Sequence, residues 1–96
     1  MEYTVIHDEK INRFEVFEMG QIAYLEYAEK DGVLDILHTS VPPPLEGQGI
    51  ARVLTKEALD YAADRRMKVK ATCTYAQKFF ERNPQYRDLQ VASLSA

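Results

Sequence analysis

The chain has 96 residues, is 46% hydrophobic and 28% charged, and carries a formal net charge of −3. These fractions are typical of a globular protein of one small domain, which we expect over residues 1–96. No apolar run approaches the roughly 20 residues of a membrane span, and an acidic balance disfavours nucleic acid, whose phosphates need a basic surface. We therefore expect neither a membrane nor a nucleic acid as partner.

The first residues and the cysteine count narrow the setting. Residues 1–8 lack the cationic start and apolar stretch of a signal peptide, so we expect a cytoplasmic protein. The single cysteine, Cys73, excludes an internal disulfide. The two histidines, His7 and His38, lie far apart in sequence, and nothing has the ligand spacing of a metal site.

The first half of the chain reads as β-structure. Alternating residues with β-formers predict strands at 3–7, 13–17 and 21–27. Met19-Gly20 is a plausible turn, and Asp31-Gly32 is a strong signal for a tight hairpin. The next strand, 33–41, is apolar on both sides, which predicts a central position in the sheet. Alternation places His38 on the face of Leu34 and Ile36, and Thr39 on the opposite face.

The second half alternates helix and strand. Three prolines at 42–44 end the ladder because proline has no N–H to donate. Helical spacing of apolar residues predicts a helix over 49–66, followed by a strand at 68–73 and a short helix at 77–82. Residues 87–94 are a final strand or an ordered tail. Strand, helix and strand from 33 to 73 form a βαβ crossover, so the two strands should be parallel.

The loop between the prolines and the long helix is the main functional signal. Gly47, Gln48 and Gly49 let the backbone approach an anion where free N–H groups and the helix dipole favour negative charge. This predicts a phosphate ligand; an ordinary turn and helix cap is the alternative. Basic residues also concentrate after Gly49, which suits a small polyanion or, equally, a solvated helix face. They are Arg52, Lys56, Arg65, Arg66, Lys68, Lys70 and Lys78.

Four segments together resemble a known family. Glu46-Gly47-Gln48-Gly49-Ile50-Ala51 is similar to the acetyl-CoA signature Gln/Arg-x-x-Gly-x-Gly/Ala of the GCN5-related N-acetyltransferase (GNAT) superfamily. It also lies between a central strand and a helix, as in that superfamily. The chain resembles in particular the small GNAT-like subfamily of about a hundred residues over residues 14–89. The other matching segments are His38-Thr39-Ser40-Val41, Cys73-Thr74-Tyr75 and Asn83-Pro84-Gln85-Tyr86.

The resemblance implies a fold and a ligand. The fold is a compact α/β GNAT-like domain with a mixed, mostly antiparallel sheet and two helices. The ligand is acetyl-CoA or coenzyme A, and the activity is acetyl transfer to an unknown amine, on a small molecule or a protein. The cofactor-binding residues would be Thr39, Ser40, Val41, Gly47, Gln48, Gly49, Ile50, Ala51, Arg52, Tyr75, Lys78 and Phe79. We expect a monomer or weak dimer.

Within this set the expected contacts differ. Residues 39–41 would offer backbone groups to the pantetheine arm, and residues 47–51 would bind phosphate through their N–H groups. Arg52 and Lys56, one turn apart on the long helix, would add charge-assisted contacts to the phosphates. Tyr75 and Phe79 would pack on the arm or the adenine, although such aromatic residues are more often part of a core.

The chain departs from the family pattern at two positions. Glu46 stands where the family has Gln or Arg, and its carboxylate would repel a diphosphate that it faced. Phe80 stands where larger members carry a tyrosine thought to protonate the departing thiolate. The missing acid leaves two alternatives besides the enzyme: a CoA-binding module acting with a partner, or an interaction subunit whose glycine loop is only structural.

Cys73 and His38 are the candidate catalytic residues. Cys73 ends the predicted parallel strand, where open α/β sheets place ligands. A lone cysteine is often a small core residue, and nucleophilic work would require a base or a helix N-terminus beside the thiol. His38 ends the neighbouring strand, and a Cys–His pair would move protons near neutral pH. A strand histidine bonded to backbone is the plain alternative.

Overall fold

The computed structural model describes residues 2–91. Four antiparallel strands joined by three consecutive hairpins build most of the sheet, and one long helix connects its fourth and fifth strands. The strands are β1 (Ile6–Asp8), β2 (Arg13–Glu18), β3 (Gln21–Lys30), β4 (Val33–Ser40) and β5 (Lys68–Ala71). The helices are α1 (Ile50–Asp64), α2 (Thr74–Arg82) and two 3₁₀ segments, Pro43–Leu45 and Pro84–Leu89.

The sheet is mixed and mostly antiparallel, as the resemblance implied. Its spatial order is β1-β2-β3-β4-β5, and each neighbouring pair is antiparallel except β4 and β5. The parallel pair is joined by α1, which confirms the predicted βαβ crossover. The order places β4 between two neighbours and brings its carboxyl end beside the carboxyl end of β5.

Both predicted two-residue turns are present. Met19 and Gly20 have φ of 51° and 71°, and Asp31 and Gly32 have φ of 53° and 78°. Positive φ at both central residues defines the hairpin turn whose twist matches that of the strands. Met19 is unusual at such a site, because a long side chain in the left-handed region costs about 1–2 kcal/mol relative to glycine.

One face of the sheet forms the core and the other stays open. Phe14, Leu25 and Ile36 are among the inward residues, and helix α1 covers them with Leu54 and Leu59. At roughly 25 cal/mol per Å² of apolar area, this burial is the main favourable term for folding. The residues that alternate with the inward ones on β2 and β3 are exposed or half-buried. The site described below lies where the covered face meets the end of the sheet.

His7, to which the sequence assigns no function, fastens β1 to the core. Its ring stacks on Phe14 with centroids 4.0 Å apart, and its Nε2 lies 2.5 Å from the Tyr27 hydroxyl. Tyr27 is 2% exposed, and burial raises its pKa far above the usual range. Tyr61 packs its edge against His7 and donates to Glu29 at 2.8 Å. This aromatic cluster is distant in the chain from the glycine loop and acts structurally.

Several predicted boundaries are wrong by a few residues. The first strand covers only Ile6–Asp8, and β5 ends at Ala71 because the next two N–H groups turn to one acceptor. Helix α2 begins at Thr74, three residues before the predicted start at 77, and Cys73 is its N-cap residue. The predicted final segment is a 3₁₀ helix followed by a single bridge from Gln90 to Val69. The part of that prediction at 92–94 lies outside the described residues.

The hairpin turn at Met19 gives a stability test. Met19→Asn should raise the free energy of unfolding by about 0.5–1 kcal/mol, because asparagine tolerates the left-handed region that methionine resists. Met19→Ala is the matched control, since alanine removes the same side chain but keeps the strain. Urea unfolding of the three proteins measures the difference. Equal midpoints for Asn and Ala would contradict the strained-turn interpretation.

Candidate functional site

The parallel strands β4 and β5 separate after the Ile36–Ala71 pair. Their last pair is Ile36 with Ala71, and the Ile36 carbonyl then accepts two N–H groups, from Thr72 at 3.1 Å and Cys73 at 2.9 Å. Strand β5 ends there, while β4 runs on to Ser40 beside β3 alone. The β5 side of β4 is therefore open beyond Ile36, at the carboxyl end of the parallel pair, where ligands of α/β sheets bind.

A β-bulge at Leu37 reverses the faces of the following residues. Tyr27 pairs with Ile36, but Glu26 pairs with His38, so Leu37 has no partner on β3. The extra residue shifts the alternation by one. Thr39 therefore lies on the inward face with Ile36, and His38 lies on the outward face with Glu26.

Two sequence predictions about this strand are thus wrong. His38 does not share a face with Leu34 and Ile36; its ring lies 6.0 Å from that of Tyr24 on the open face. Thr39 does not lie opposite to them; it pairs with the buried Leu25 on the inward face. The predicted central position of the strand is confirmed, because β4 lies between β3 and β5. Alternation alone does not predict the changed faces, since nothing in the residue types marks the bulge.

Cys73 lies at the start of α2 and contacts Thr39. Its side chain is 9% exposed, and its thiol donates to the Thr39 hydroxyl with Sγ and Oγ1 3.5 Å apart. As the N-cap residue of α2, Cys73 stands at the positive end of that helix. Cys73, Thr39 and His38 all line one shallow depression of about 340 Å³. The polar neighbour that the structure gives the thiol is therefore Thr39, with His38 at the other side of the opening.

The glycine loop owes its shape to backbone conformation. Gly47 and Gly49 both have φ of 78°, and a Cβ at either position would meet nothing within 4 Å. Glycine is thus needed for the left-handed φ and not for lack of space. Gln48 holds the loop together: its side-chain amide donates to Pro44 O at 3.2 Å, and its own carbonyl accepts from the Tyr3 hydroxyl at 3.2 Å.

The first turn of α1 presents free donors. Gly49 is the N-cap residue, has no side chain to cap the helix, and accepts only Val53 N–H, at 3.1 Å. The N–H groups of Ile50, Ala51 and Arg52 have no carbonyl within the helix to bond to, because the first intrahelical bond is that of Val53. No acidic residue lies in this first turn. These donors and the positive end of the helix dipole make the start of α1 suited to an anion, because no side chain caps it.

The loop and the open end of β4 enclose one groove of about 520 Å³. Eight of its lining residues were predicted to bind the cofactor. The groove brings them together from the end of β4, the glycine loop, α1 and α2. They are Thr39, Val41, Gly47, Gly49, Ile50, Ala51, Arg52 and Tyr75. Leu45 and Glu46 complete the lining. Glu46 therefore lines the groove, where its carboxylate would repel a diphosphate that it faced. Its side chain is exposed and can turn towards solvent.

A smaller basic depression adjoins this groove. Its volume is about 170 Å³, and Arg52 and Tyr75 belong to both. Lys78 and Phe79, also predicted to bind the cofactor, line it together with Arg82 and Asn83. Arg82 was missed, although it lies one helical turn after Lys78 and the same spacing argument would have found it. None of the lining residues is acidic, so the depression favours an anion.

Tyr75 stands where the three depressions meet. It is 37% exposed and lines the groove, the basic depression and the opening beside Cys73. Burial raises the pKa of its hydroxyl, while Arg52 and Arg82 nearby act to lower it. The net effect is a raised pKa, so the phenol is protonated at neutral pH, as an ordinary tyrosine is. Phe80, at the family's tyrosine position, is 5% exposed and belongs to the core.

Two predicted residues line none of these depressions. Ser40 pairs with Tyr24 on β3 and lies on the open face. The Gln48 side chain is engaged within its own loop. Any contact from either residue to a ligand in the groove would come from its backbone.

Residues 2–91 contain neither a metal-binding cluster nor a membrane-spanning helix. Within these residues, no three or more His, Cys, Asp or Glu side chains are grouped so as to hold a metal ion. No helix among them has the length and apolar character needed to cross a membrane.

Known proteins match both the sequence and the fold. The sequence model of the GCN5-related N-acetyl-transferase family matches residues 13–89. Protein NATD1 of Gallus gallus is 38% identical over 84 residues, spanning 83% of this chain and 76% of the relative. Protein NATD1 of Homo sapiens is 37% identical, spanning 83% and 74%. The solution NMR structure of a GCN5-like protein from Staphylococcus aureus aligns with a TM-score of 0.76 at 25% identity, covering 97% of this chain and 92% of that one.

The N-cap glycine gives a test of the loop. Gly49→Ala should lower the free energy of unfolding by about 1–2 kcal/mol, because alanine resists a φ of 78° even though its Cβ has space. Gly49→Asn is the matched control and should lose less, since asparagine adopts this conformation more readily and can also cap a helix. Chemical denaturation compares them. Equal losses would contradict the conformational explanation, and a larger loss in the asparagine variant would indicate that side-chain volume selects glycine here.

Proposed function

The chain belongs to the GCN5-related N-acetyltransferase family, and on that premise we propose that it transfers an acetyl group from acetyl-CoA to an amine. One observation carries the proposal: the uncapped N–H donors at the start of α1 open into a groove that extends to Thr39, whose hydroxyl accepts from the Cys73 thiol. Thr39 and Tyr75 line both this groove and the opening beside Cys73, so the two depressions adjoin.

The donor fits the residues present. A diphosphate suits the N–H groups of residues 50–52, since a helix start is a ready-made anion site. The remaining charge of the nucleotide suits Arg52, Lys78 and Arg82, which line a depression without acids. The pantetheine arm suits the open side of β4, where the backbone beyond Ile36 has lost its β5 neighbour. The thiol end then points towards Cys73.

The bound thioester supplies an activated acetyl group, and the chain supplies orientation and proton transfer. Thr39 and Cys73 lie together where the strands part. Tyr75, protonated at neutral pH, and the Cys73 thiol are the groups placed to give a proton to the departing sulfur. His38 lines the same opening and is the group placed to accept a proton from the amine.

Cys73 has two possible parts in this scheme. In direct transfer the amine attacks the acetyl carbonyl, and Cys73 only donates a proton. In the covalent route the Cys73 thiolate attacks first, CoA leaves as the thiol, and the acetyl group passes from Sγ to the amine. The position of Cys73 at the opening beside Thr39 and His38 is compatible with both routes.

A non-catalytic CoA-binding module is the second candidate. The buried Phe80 favours it, because the tyrosine that the family is thought to use as an acid is absent and a core phenylalanine cannot replace it. Such a module would bind acyl-CoA through the same groove and act through a partner protein. The two candidates share the ligand and differ only in turnover.

Acetyl-CoA turnover separates these readings. The protein should bind acetyl-CoA by calorimetry, and it should release free CoA thiol in the presence of a primary amine. Intact mass spectrometry of Cys73→Ser and of the unaltered protein tests the route. A gain of one acetyl group that the substitution abolishes indicates the covalent route, and turnover unchanged by it removes Cys73 from the mechanism. Binding of acetyl-CoA without any release of thiol would favour the non-catalytic CoA-binding module. Absence of binding would refute both the enzyme and the module.

The basic depression predicts a charge-dependent affinity. Arg52→Ala and Lys78→Ala should each weaken CoA binding about tenfold, since a charge-assisted contact contributes about 1.5–3 kcal/mol. Lys56→Ala is the matched control, because Lys56 is an exposed cation one turn further along α1 that lines neither depression. Calorimetry at two salt concentrations measures the change. An equal loss in the Lys56 variant would mean that only net charge matters.

A further inference from the structure

The open face of the sheet continues directly into the opening beside Cys73. The bulge at Leu37 places His38 on this face, next to Glu26 on β3. His38, Leu37 and Cys73 line the same depression. A molecule on the open face can therefore reach the thiol from the side opposite to helix α1 and the groove. The donor and a second substrate would then approach the reactive sulfur from different faces.

An apolar patch lies at the same end of this face. Phe17, Met19 and Ile22, in the β2–β3 hairpin, are 50%, 74% and 44% exposed. Phe17 and Ile22 are direct cross-strand partners, and Met19 forms the turn between them. Because Tyr24 pairs with Ser40, this hairpin end lies at the carboxyl end of β4. Large exposed side chains grouped in this way mark a contact surface.

The charges between the patch and the opening favour a cation. Arg13 is shared, at 3.9 Å, by the carboxylates of Glu15 and Glu26, so one guanidinium meets two carboxylates. The same guanidinium lies 3.9 Å from the centre of the Tyr24 ring. This surface thus carries excess negative charge beside the apolar patch.

The spacing suits an extended polypeptide. Ile22 and Glu26 are four residues apart on β3, or about 14 Å at 3.4 Å per residue. An extended chain covers that distance in about four residues. The depression itself is shallow and has no walls to enclose a small amine, whereas pockets for small ligands bury about 70–90% of the ligand.

We propose that the acceptor is a lysine side chain on another protein, bound with an apolar residue of that protein on the Phe17–Met19–Ile22 patch and its amine at the His38–Cys73 opening. The inference rests on the proposed acetyl transfer and names its substrate class. The lysine ammonium first loses a proton to His38 or Glu26. The neutral nitrogen then forms a bond to the acetyl carbon, and the bond from that carbon to the CoA sulfur breaks. The nitrogen loses its second proton as the amide forms, and the departing thiolate takes up one proton to leave as the thiol.

Short synthetic peptides test the proposal. Each carries one lysine, with leucine either four positions away or replaced by serine, and Nα-acetyl-lysine amide serves as a free amine. With saturating acetyl-CoA, the leucine peptide should have a kcat/KM at least about tenfold above the serine peptide and the free amine, as expected for one well-buried anchor. Met19→Asn with Ile22→Ser should remove most of this advantage by raising KM.

A variant outside the patch serves as the control for the peptide experiment. Ile11→Asn replaces an apolar residue that is 50% exposed in the β1–β2 turn, outside the patch, and should retain the full advantage. Equal rates for the two peptides, faster reaction of the free amine, or an equal loss in the Ile11 variant would overturn the proposal. Calorimetry with acetyl-CoA on the same samples separates the two levels. Intact binding with no peptide preference refutes the docking surface alone, and absent binding refutes the proposed function and this inference together.

Discussion

The Ile36 carbonyl is the point on which the site depends. It accepts the N–H groups of both Thr72 and Cys73, so β5 turns away from the sheet at the residue where α2 is capped. One acceptor thus ends a strand, positions the thiol at the start of a helix, and leaves the last residues of β4 without a neighbour on that side. The gap between the strands follows from this hydrogen-bonding pattern.

The bulge at Leu37 gives the gap two different sides. It turns Thr39 inward to the thiol and His38 outward to Glu26, so the polar groups at the opening are divided between the faces of the sheet. Helix α1 and its glycine loop serve the inward side, where free N–H groups suit phosphate. The open face serves the outward side. A reaction between an anionic donor and a separate acceptor fits this division, because neither substrate would obstruct the other.

Much of this architecture follows from local sequence signals. Asp31-Gly32 predicts its hairpin because few residues other than glycine adopt the required φ, and the glycines at 47 and 49 predict the loop for the same reason. The bulge could not be predicted, since Leu37 and His38 continue an ordinary alternation and the shift arises only from pairing with β3. The Cys73–Thr39 contact depends on that shift and was missed with it. The expectation of acetyl-CoA as the ligand came from the family resemblance, because spacing alone predicted only an unspecified phosphate.

The amide chemical shifts of labelled protein during a titration with acetyl-CoA test the account most directly. We expect saturable shifts in two separate groups: Gly49 to Arg52 at the helix start, and Leu37 to Thr39 with Cys73 where the strands part. The amide of Ile11, in the distant turn, should stay unchanged. Shifts confined to the helix start would show a phosphate site that does not deliver the thioester to the gap. No shift in either group at saturation would contradict the account as a whole.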